Sequence, residues 1–229
     1  LYHAYDTAGG VYTGRQGLLR EFHYTNDGWV EFVKESPTDF NTSQMESDAF
    51  IKNNATSPWQ WSVFQNVERK IKKDKIELAA LPSPSGAFIG QKTYSLNYDA
   101  TTKIDRKKSS AVAGIALIGD ESNTISAFIN EASVSVVRVK NGKDSMLYTQ
   151  TIPKGKTLYL RMQVRNGKDI TFLYSNNGRN FSVLNKQNAN GAYLPPWDRA
   201  LRAGVIAKGT ETQRGIFKNF EISNVKIYK

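Results

Sequence analysis

The stretch LYLRMQVRNGKDITFLYSNNGRNFSVL, residues 158–184, constrains the fold more than any other part of the chain. Leu158, Leu160, Met162 and Val164 alternate with Tyr159, Arg161, Gln163 and Arg165, so one face is apolar and the other wet. That period of two predicts a half-buried β-strand. Asn166-Gly167 supplies the two positive-φ positions of a tight type I′ hairpin, and Ile170, Phe172 and Tyr174 resume the alternation on the way back. Asn177-Gly178 turns the chain again. Three antiparallel strands with one apolar face need a covering layer. No long helical pattern exists elsewhere, so that layer is expected to be a second sheet.

At 229 residues the chain can bury one large core or two smaller ones. Its longest apolar run, residues 111–119, suits a strand buried on both faces and falls short of the roughly 18 residues of a membrane span. No membrane partner is expected. Cysteine is absent, which excludes disulfides, thiolate metal sites and a Cys nucleophile. The net charge of +10 raises the question of nucleic acid, and lysines do cluster in ERKIKKDKIEL (68–78) and KIDRKK (103–108). In the first cluster Ile71 and Ile76 are interleaved with the charges, and no aromatic ring is available there to stack a base. The clusters read as solvated strand faces, and nucleic acid is not an expected partner.

The first 34 residues hold three short strand candidates, 1–5, 18–24 and 29–33, with an Asn26-Asp27-Gly28 turn between the last two. These cannot bury a core of their own, so they are expected to belong to a larger sheet, of which a propeller blade is one form. LYHAYD reads as the inside of a strand, so Leu1 is expected to be a cut in a longer protein. Residues 35–54 contain a proline and show no period, which reads as a linker. From residue 58 onward the pattern is β throughout, with strand candidates at 59–64, 75–80, 87–98, 111–118, 124–129, 133–140, 146–152, 202–207 and 215–227 beside the opening meander. The apolar phase slips between Val136 and Val137, which predicts a bulge. Tight turns without helical periodicity argue for an antiparallel two-sheet β-sandwich.

Both histidines, His3 and His23, fall in the first block, which leaves no base for a Ser-His-Asp triad in the sandwich and no His-rich metal site there. His23 reads as a packed or surface residue. Trp59 and Trp61 are two apart and would project from one strand face, either as a platform for sugar rings or as core beside Phe64. The core reading is preferred, because large aromatics dominate cores. Trp197 follows Pro195-Pro196 in a loop, where burial is less expected and a binding role is favoured. Trp29 follows a turn and is expected to cap the first block.

The run LYHAYDTAGGVYTGRQGLLREFHYTNDGW resembles the last blade of the five-bladed propeller of glycoside hydrolase family 43. The matching pieces are Tyr2-His3-Ala4-Tyr5, Gly14-Arg15-Gln16 and Asp27-Gly28-Trp29, with Tyr24 in place of the usual tryptophan. The remainder resembles the concanavalin-A-like C-terminal sandwich (a jelly roll) of β-xylosidases and relatives: PWQW (58–61), AGIAL (113–117), FLYSNNGRNF (172–181) and GIFKNFEI (215–222) follow in the expected order. The resemblance implies a last-blade remnant at 1–34, a linker at 35–54 and the sandwich at 55–229. It implies the C-terminal part of an inverting hydrolase of xylose- or arabinose-containing plant polysaccharides, of secreted or periplasmic bacterial location, whose catalytic carboxylates lie on earlier blades. No residue here is therefore expected to be catalytic. Arg15 is implied as a substrate-binding residue, because the arginine of this segment reaches the substrate pocket in relatives. His3 is implied as a substrate-site residue and metal ligand, because the blade histidine in some members holds a cation. A structural Ca2+ is the one cofactor suggested, and no residue requires it. Lys218 and Asn177 stand where the family motifs often carry acids. The expected partners are a xylo- or arabino-oligosaccharide and the preceding propeller. The rival reading is a non-catalytic, lectin-like carbohydrate-binding module.

Overall fold

The computed structural model describes residues 2–4, 11–14, 16–18, 21–33, 59–72, 75–194 and 200–225. The first block forms β1 (Tyr2–Ala4), a 3-10 turn (Val11–Thr13), β2 (Gln16–Leu18), β3 (Phe22–Tyr24) and β4 (Val30–Phe32). These make two separate antiparallel ribbons, β1 with β2 and β3 with β4. The single strand expected at 18–24 is thus two, with different partners. The turn at 26–28 is a hairpin as expected, with Gly28 at φ 84°. Trp29 does not cap the block: it is 75% exposed. The expected linker at 35–54 lies outside the described residues.

The remaining chain carries β5 (Arg69–Lys72), β6 (Lys75–Ala79), β7 (Ala87–Lys92), β8 (Tyr98–Asp105), β9 (Val112–Asp120), β10 (Asn123–Asn130) and β11 (Ser133–Lys140). It continues with β12 (Lys143–Thr151), β13 (Thr157–Arg165), β14 (Asp169–Ser175), β15 (Ser182–Val183), β16 (Ala189–Asn190), β17 (Arg202–Lys208) and β18 (Arg214–Asn224). One sheet has six strands in the order β12-β11-β10-β9-β17-β7. The other runs β15-β14-β13-β8-β18-β6-β5, with β16 also paired to β14. All these pairings are antiparallel, as expected of a concanavalin-A-like sandwich.

The opening meander behaves as its period dictates. Leu158, Leu160, Met162 and Val164 of β13 are fully buried, as are Ile170 and Phe172 of β14. Across the sandwich they meet Ile89, Ile115, Leu117, Val136 and Val205 of the six-stranded sheet in one continuous cluster. Each such side chain contributes roughly 1.5–3 kcal/mol by leaving water. Asn166 and Gly167 take φ values of 52° and 70°, the positive values expected of the turn, and Arg165 pairs with Asp169, so Lys168 makes the loop three residues long. The apolar run at 111–119 is buried on both faces: Ala113, Ile115 and Leu117 of β9 face the sandwich interior, while Ala116 and Ile118 join Phe88, Phe128 and Ile206 in a second cluster. The register of β11 against β12 shifts between Val136 and Val137, at the expected bulge.

Two expectations are corrected, and a third is refined. Residues 59–64 are not a strand: only Gln60 pairs, through a reciprocal backbone bridge to Gly90 at 2.8 Å each way. Beyond it the Ser62 hydroxyl accepts the Phe64 amide at 3.1 Å and turns the chain outward, so Phe64 is exposed and fills no core. The strand expected at 87–98 is two strands in opposite sheets, since the Ser95 hydroxyl accepts the Asn97 amide and the chain crosses between Lys92 and Tyr98. The lysine-rich run at 68–78 is an edge hairpin, β5 and β6, whose Lys72 and Lys75 ammonium groups both meet Glu77 at 2.8 Å. These two hydrogen-bonded lysines hold the Glu77 carboxyl down to about 2. Lysines on an outermost strand discourage edge-to-edge pairing with another chain.

Candidate functional site

In the first block, the register Tyr2↔Leu18, His3↔Gly17 and Ala4↔Gln16 pairs the backbone of Tyr2–Ala4 with that of Gln16–Leu18. His3 is placed on β1 by its backbone, while Arg15 and Trp197 lie outside the described residues. His23 is a surface residue, its Nε2 3.3 Å from Glu31 with both side chains exposed. Phe22, Tyr24, Trp29, Val30 and Phe32 are all exposed on the second ribbon. The block is tied to the sandwich at Tyr12: the Leu201 amide donates to the Tyr12 carbonyl at 3.0 Å, and the Tyr12 ring packs against the main core.

At the closing strand, β18 bulges between Phe217 and Asn219. The Lys218 ammonium lies 3.2 Å from the Asp105 carboxylate, which is almost wholly buried. Asn177, the other departure from the acidic motifs, is a turn residue whose Oδ1 accepts the Arg179 and Asn180 amides at 2.9 and 3.0 Å. Among the described residues no group of three or more His, Cys, Asp or Glu side chains is arranged to hold a metal ion. A structural Ca2+ therefore does not fit at the closing strand, where a lysine already supplies the positive charge beside Asp105.

The two tryptophans of PWQW separate. Trp59 is 5% exposed and packs on Phe220, ring centroids 5.1 Å apart, as core. Trp61 is 41% exposed and walls a cleft of about 390 Å³ on the outer side of the six-stranded sheet. Buried Phe88 and Ile118 lie beneath it, and Gln60, Asp120, Glu121 and Arg202 stand around it. The Arg69 guanidinium sits 3.4 Å from the centre of the Trp61 ring and is not among the residues that line the cleft. Burial lowers the Arg69 proton affinity from its ordinary value, and the guanidinium remains charged. The Ser62 hydroxyl donates to Glu121 Oε2 at 3.1 Å, and Arg202 Nε donates to Gln60 Oε1 at 2.5 Å. Asp120 Oδ1 accepts the Ser122 amide and the Asn123 side chain at 2.9 and 2.8 Å. Trp61 was visible in the sequence, but Asp120, Glu121 and Arg202 were not: they reach it from some 60 and 140 positions away, through strand order alone.

A second cleft of about 700 Å³ opens at another part of the sandwich, among Arg106, Lys107, Lys154, Lys156, Ser109 and Ser110. It is basic, and none of its lining residues has an aromatic ring on which a base would stack.

A family model described as the beta xylosidase C-terminal concanavalin A-like domain matches residues 47–195. No curated protein matches the sequence. Among solved structures, the GH43 BlXynB protein from Bacillus licheniformis aligns at 16% identity and TM-score 0.69, over 93% of this chain and 47% of its own. GH43B of the Bacteroides ovatus xyloglucan PUL aligns at 17% and 0.71, over 93% and 48%. The xylan beta-1,4-xylosidase from Bacillus halodurans C-125 aligns at 13% and 0.69, over 92% and 47%. At these identities the likeness is one of fold. The chain spans about half the length of each of these proteins.

Proposed function

The chain belongs to the family of β-xylosidase C-terminal concanavalin A-like domains, and on that premise we propose that it is the C-terminal part of a family 43 hydrolase of xylose- or arabinose-containing plant polysaccharides. In this reading residues 1–34 end the propeller, 35–54 link, and 55–229 form an accessory sandwich that packs on the propeller and shapes or supports the substrate site. The observation that carries it is the state of the first block. One end is docked on the sandwich through Tyr12, while Phe22, Tyr24, Trp29, Val30 and Phe32 stay exposed, the Phe22 ring meeting those of Tyr24 and Phe32 edge-on along the same ribbon. Contiguous exposed aromatic surface of that kind marks a contact with something else, here the rest of a propeller. The 93% coverage by BlXynB supports the division, since it exceeds what residues 55–229 supply. Arg15 and His3 are the residues we assign to the substrate side, with His3 also a candidate cation ligand. Polymeric glycans do not cross membranes, so the same reading puts the enzyme outside the bacterial cytoplasm.

The test is an assay on aryl xylosides and aryl arabinofuranosides. The 229-residue chain is expected to turn over neither, and a chain extended N-terminally through the propeller is expected to hydrolyse at least one. Turnover by the 229-residue chain alone sinks the proposal. The exposed Trp61 in its cleft favours a second reading, in which the sandwich also grips carbohydrate. Calorimetric titration with xylan and arabinan oligosaccharides separates a gripping sandwich from a purely supporting one.

A further inference from the structure

We propose that the cleft walled by Trp61 is a binding site for a neutral sugar ring of a glycan chain. The inference deepens the carbohydrate-gripping reading and rests on it for the choice of probe.

The chemistry of the lining narrows the ligand. Phe88 and Ile118 give an apolar floor, and the Trp61 indole gives a flat apolar wall. A sugar ring has one or more faces of C–H groups that match such surfaces and an equator of hydroxyls that does not. Those hydroxyls need acceptors and donors at the rim. Glu121 Oε1 and Asp120 Oδ2 accept no hydrogen bond among the described residues, while the opposite oxygen of each carboxylate is already engaged by Ser62, Ser122 or Asn123. The carboxylates are therefore held in place with one oxygen apiece to spare. On the other side, Arg202 fixes Gln60 through Oε1, which leaves the Gln60 amide nitrogen to donate. Convergent polar groups around an apolar cleft are the usual plan of a small-molecule site.

The same lining argues against other ligands. Two carboxylates and the Arg202 guanidinium line the cleft and Arg69 lies against Trp61, so charges of both signs are balanced there and no charged ligand is favoured. No histidine or cysteine lines the cleft, and no metal-holding group of acids occurs among the described residues. A volume of about 390 Å³ lies at the lower end of the range for small-molecule sites, on the order of one or two sugar rings. The indole is also held in place: the Arg69 guanidinium lies 3.4 Å from its ring centre, a contact that reduces the ordering cost of binding.

The experiment is a titration of the ¹⁵N-labelled 229-residue chain with xylotetraose, arabinotetraose and cellotetraose in turn, read by amide chemical shifts. At least one tetrasaccharide is expected to give saturable shifts at the amides of residues 60–63, 118–121 and 202. Trp61→Ala is expected to weaken that binding about tenfold. Glu121→Gln, which keeps shape and loses charge, is expected to weaken it by roughly threefold to tenfold and guards against any disturbance of folding at Trp61. Shifts that map elsewhere overturn the cleft and leave the carbohydrate-gripping reading standing. The absence of saturable shifts with all three sugars overturns both. Binding that survives both substitutions also overturns the cleft. The hydrolase reading is decided separately, by the activity of the N-terminally extended chain.

Discussion

Asp105 ends β8 with its side chain 6% exposed, 3.2 Å from the Lys218 ammonium and accepting the Lys108 amide at 3.2 Å. Burial pushes the carboxyl up, but the Lys218 bond, the Lys108 amide and the charges of both lysines outweigh it, so its affinity for protons ends below the ordinary value. A carboxyl depressed in the folded state adds stability above its unfolded pKa of about 3.9, and that contribution is lost as the pH falls through the folded value. Lys218→Met leaves the burial and removes the opposing charge. Its expected effect is a loss of about 1–2 kcal/mol at neutral pH, reduced by the partial exposure of Lys218, and an acid unfolding midpoint shifted to higher pH. Urea melts of both proteins between pH 3 and 7 check this, and superimposable pH profiles would refute it. In the sequence Lys218 was only a departure from an acidic motif. Its partner was unreadable, because the bulge at this point of β18 and the β8–β18 register together decide what faces it.

The elements most legible in the sequence were those whose apolar positions are large and whose turns need positive φ. β13 and β14 and the hairpin at Asn166-Gly167 that joins them are of this kind. β8 was not legible, although it lies near the middle of the eight-stranded sheet. Its inward positions include Ala100 and Thr102, too small or too polar to mark a face, and Thr102 is accommodated only because its hydroxyl donates to the Asn219 carbonyl at 2.7 Å. β5 was legible as a solvated strand face through its lysines, but its place at the edge of the sheet was not. Gly114 lies in the buried strand β9 for a reason of its own, close approach: a Cβ there would run into the Ala127 carbonyl of β10. Gly114→Ala is expected to cost about 3 kcal/mol, since the neighbour is backbone that cannot turn aside. Thermal unfolding measures it, and a shift in melting temperature of less than about 2 °C would show that the two strands can separate to make room.

At the scale of the molecule, two sheets were legible but their strand order was not. β17 lies between β9 and β7, and β18 lies between β8 and β6, so both sheets are completed in their interior by the last two strands in chain order. Nothing local announces this, because β7 and β17 are paired across more than 100 residues. The same long-range order assembles the Trp61 cleft, which is why one of its residues could be nominated and the others could not. A chain ending at residue 200 lacks both strands, and the structure then divides each sheet in two. Its expected behaviour is loss of the cooperative calorimetric transition, while a chain that keeps residues 1–225 retains it. A cooperative transition in the shorter chain would mean that the halves hold together without their centres.

The placement of β17 and β18 also sets a schedule for the living cell. A ribosome releases β7 well before β17, and at about 5–20 residues per second the interval is on the order of ten seconds. Throughout that interval the flanks of β7, β9, β6 and β8 are open hydrogen-bonding edges beside uncovered apolar faces. A nascent chain of this design depends on being shielded until synthesis is nearly finished, and its yield in a host cell should respond more to chaperone supply than to anything in the folded sandwich.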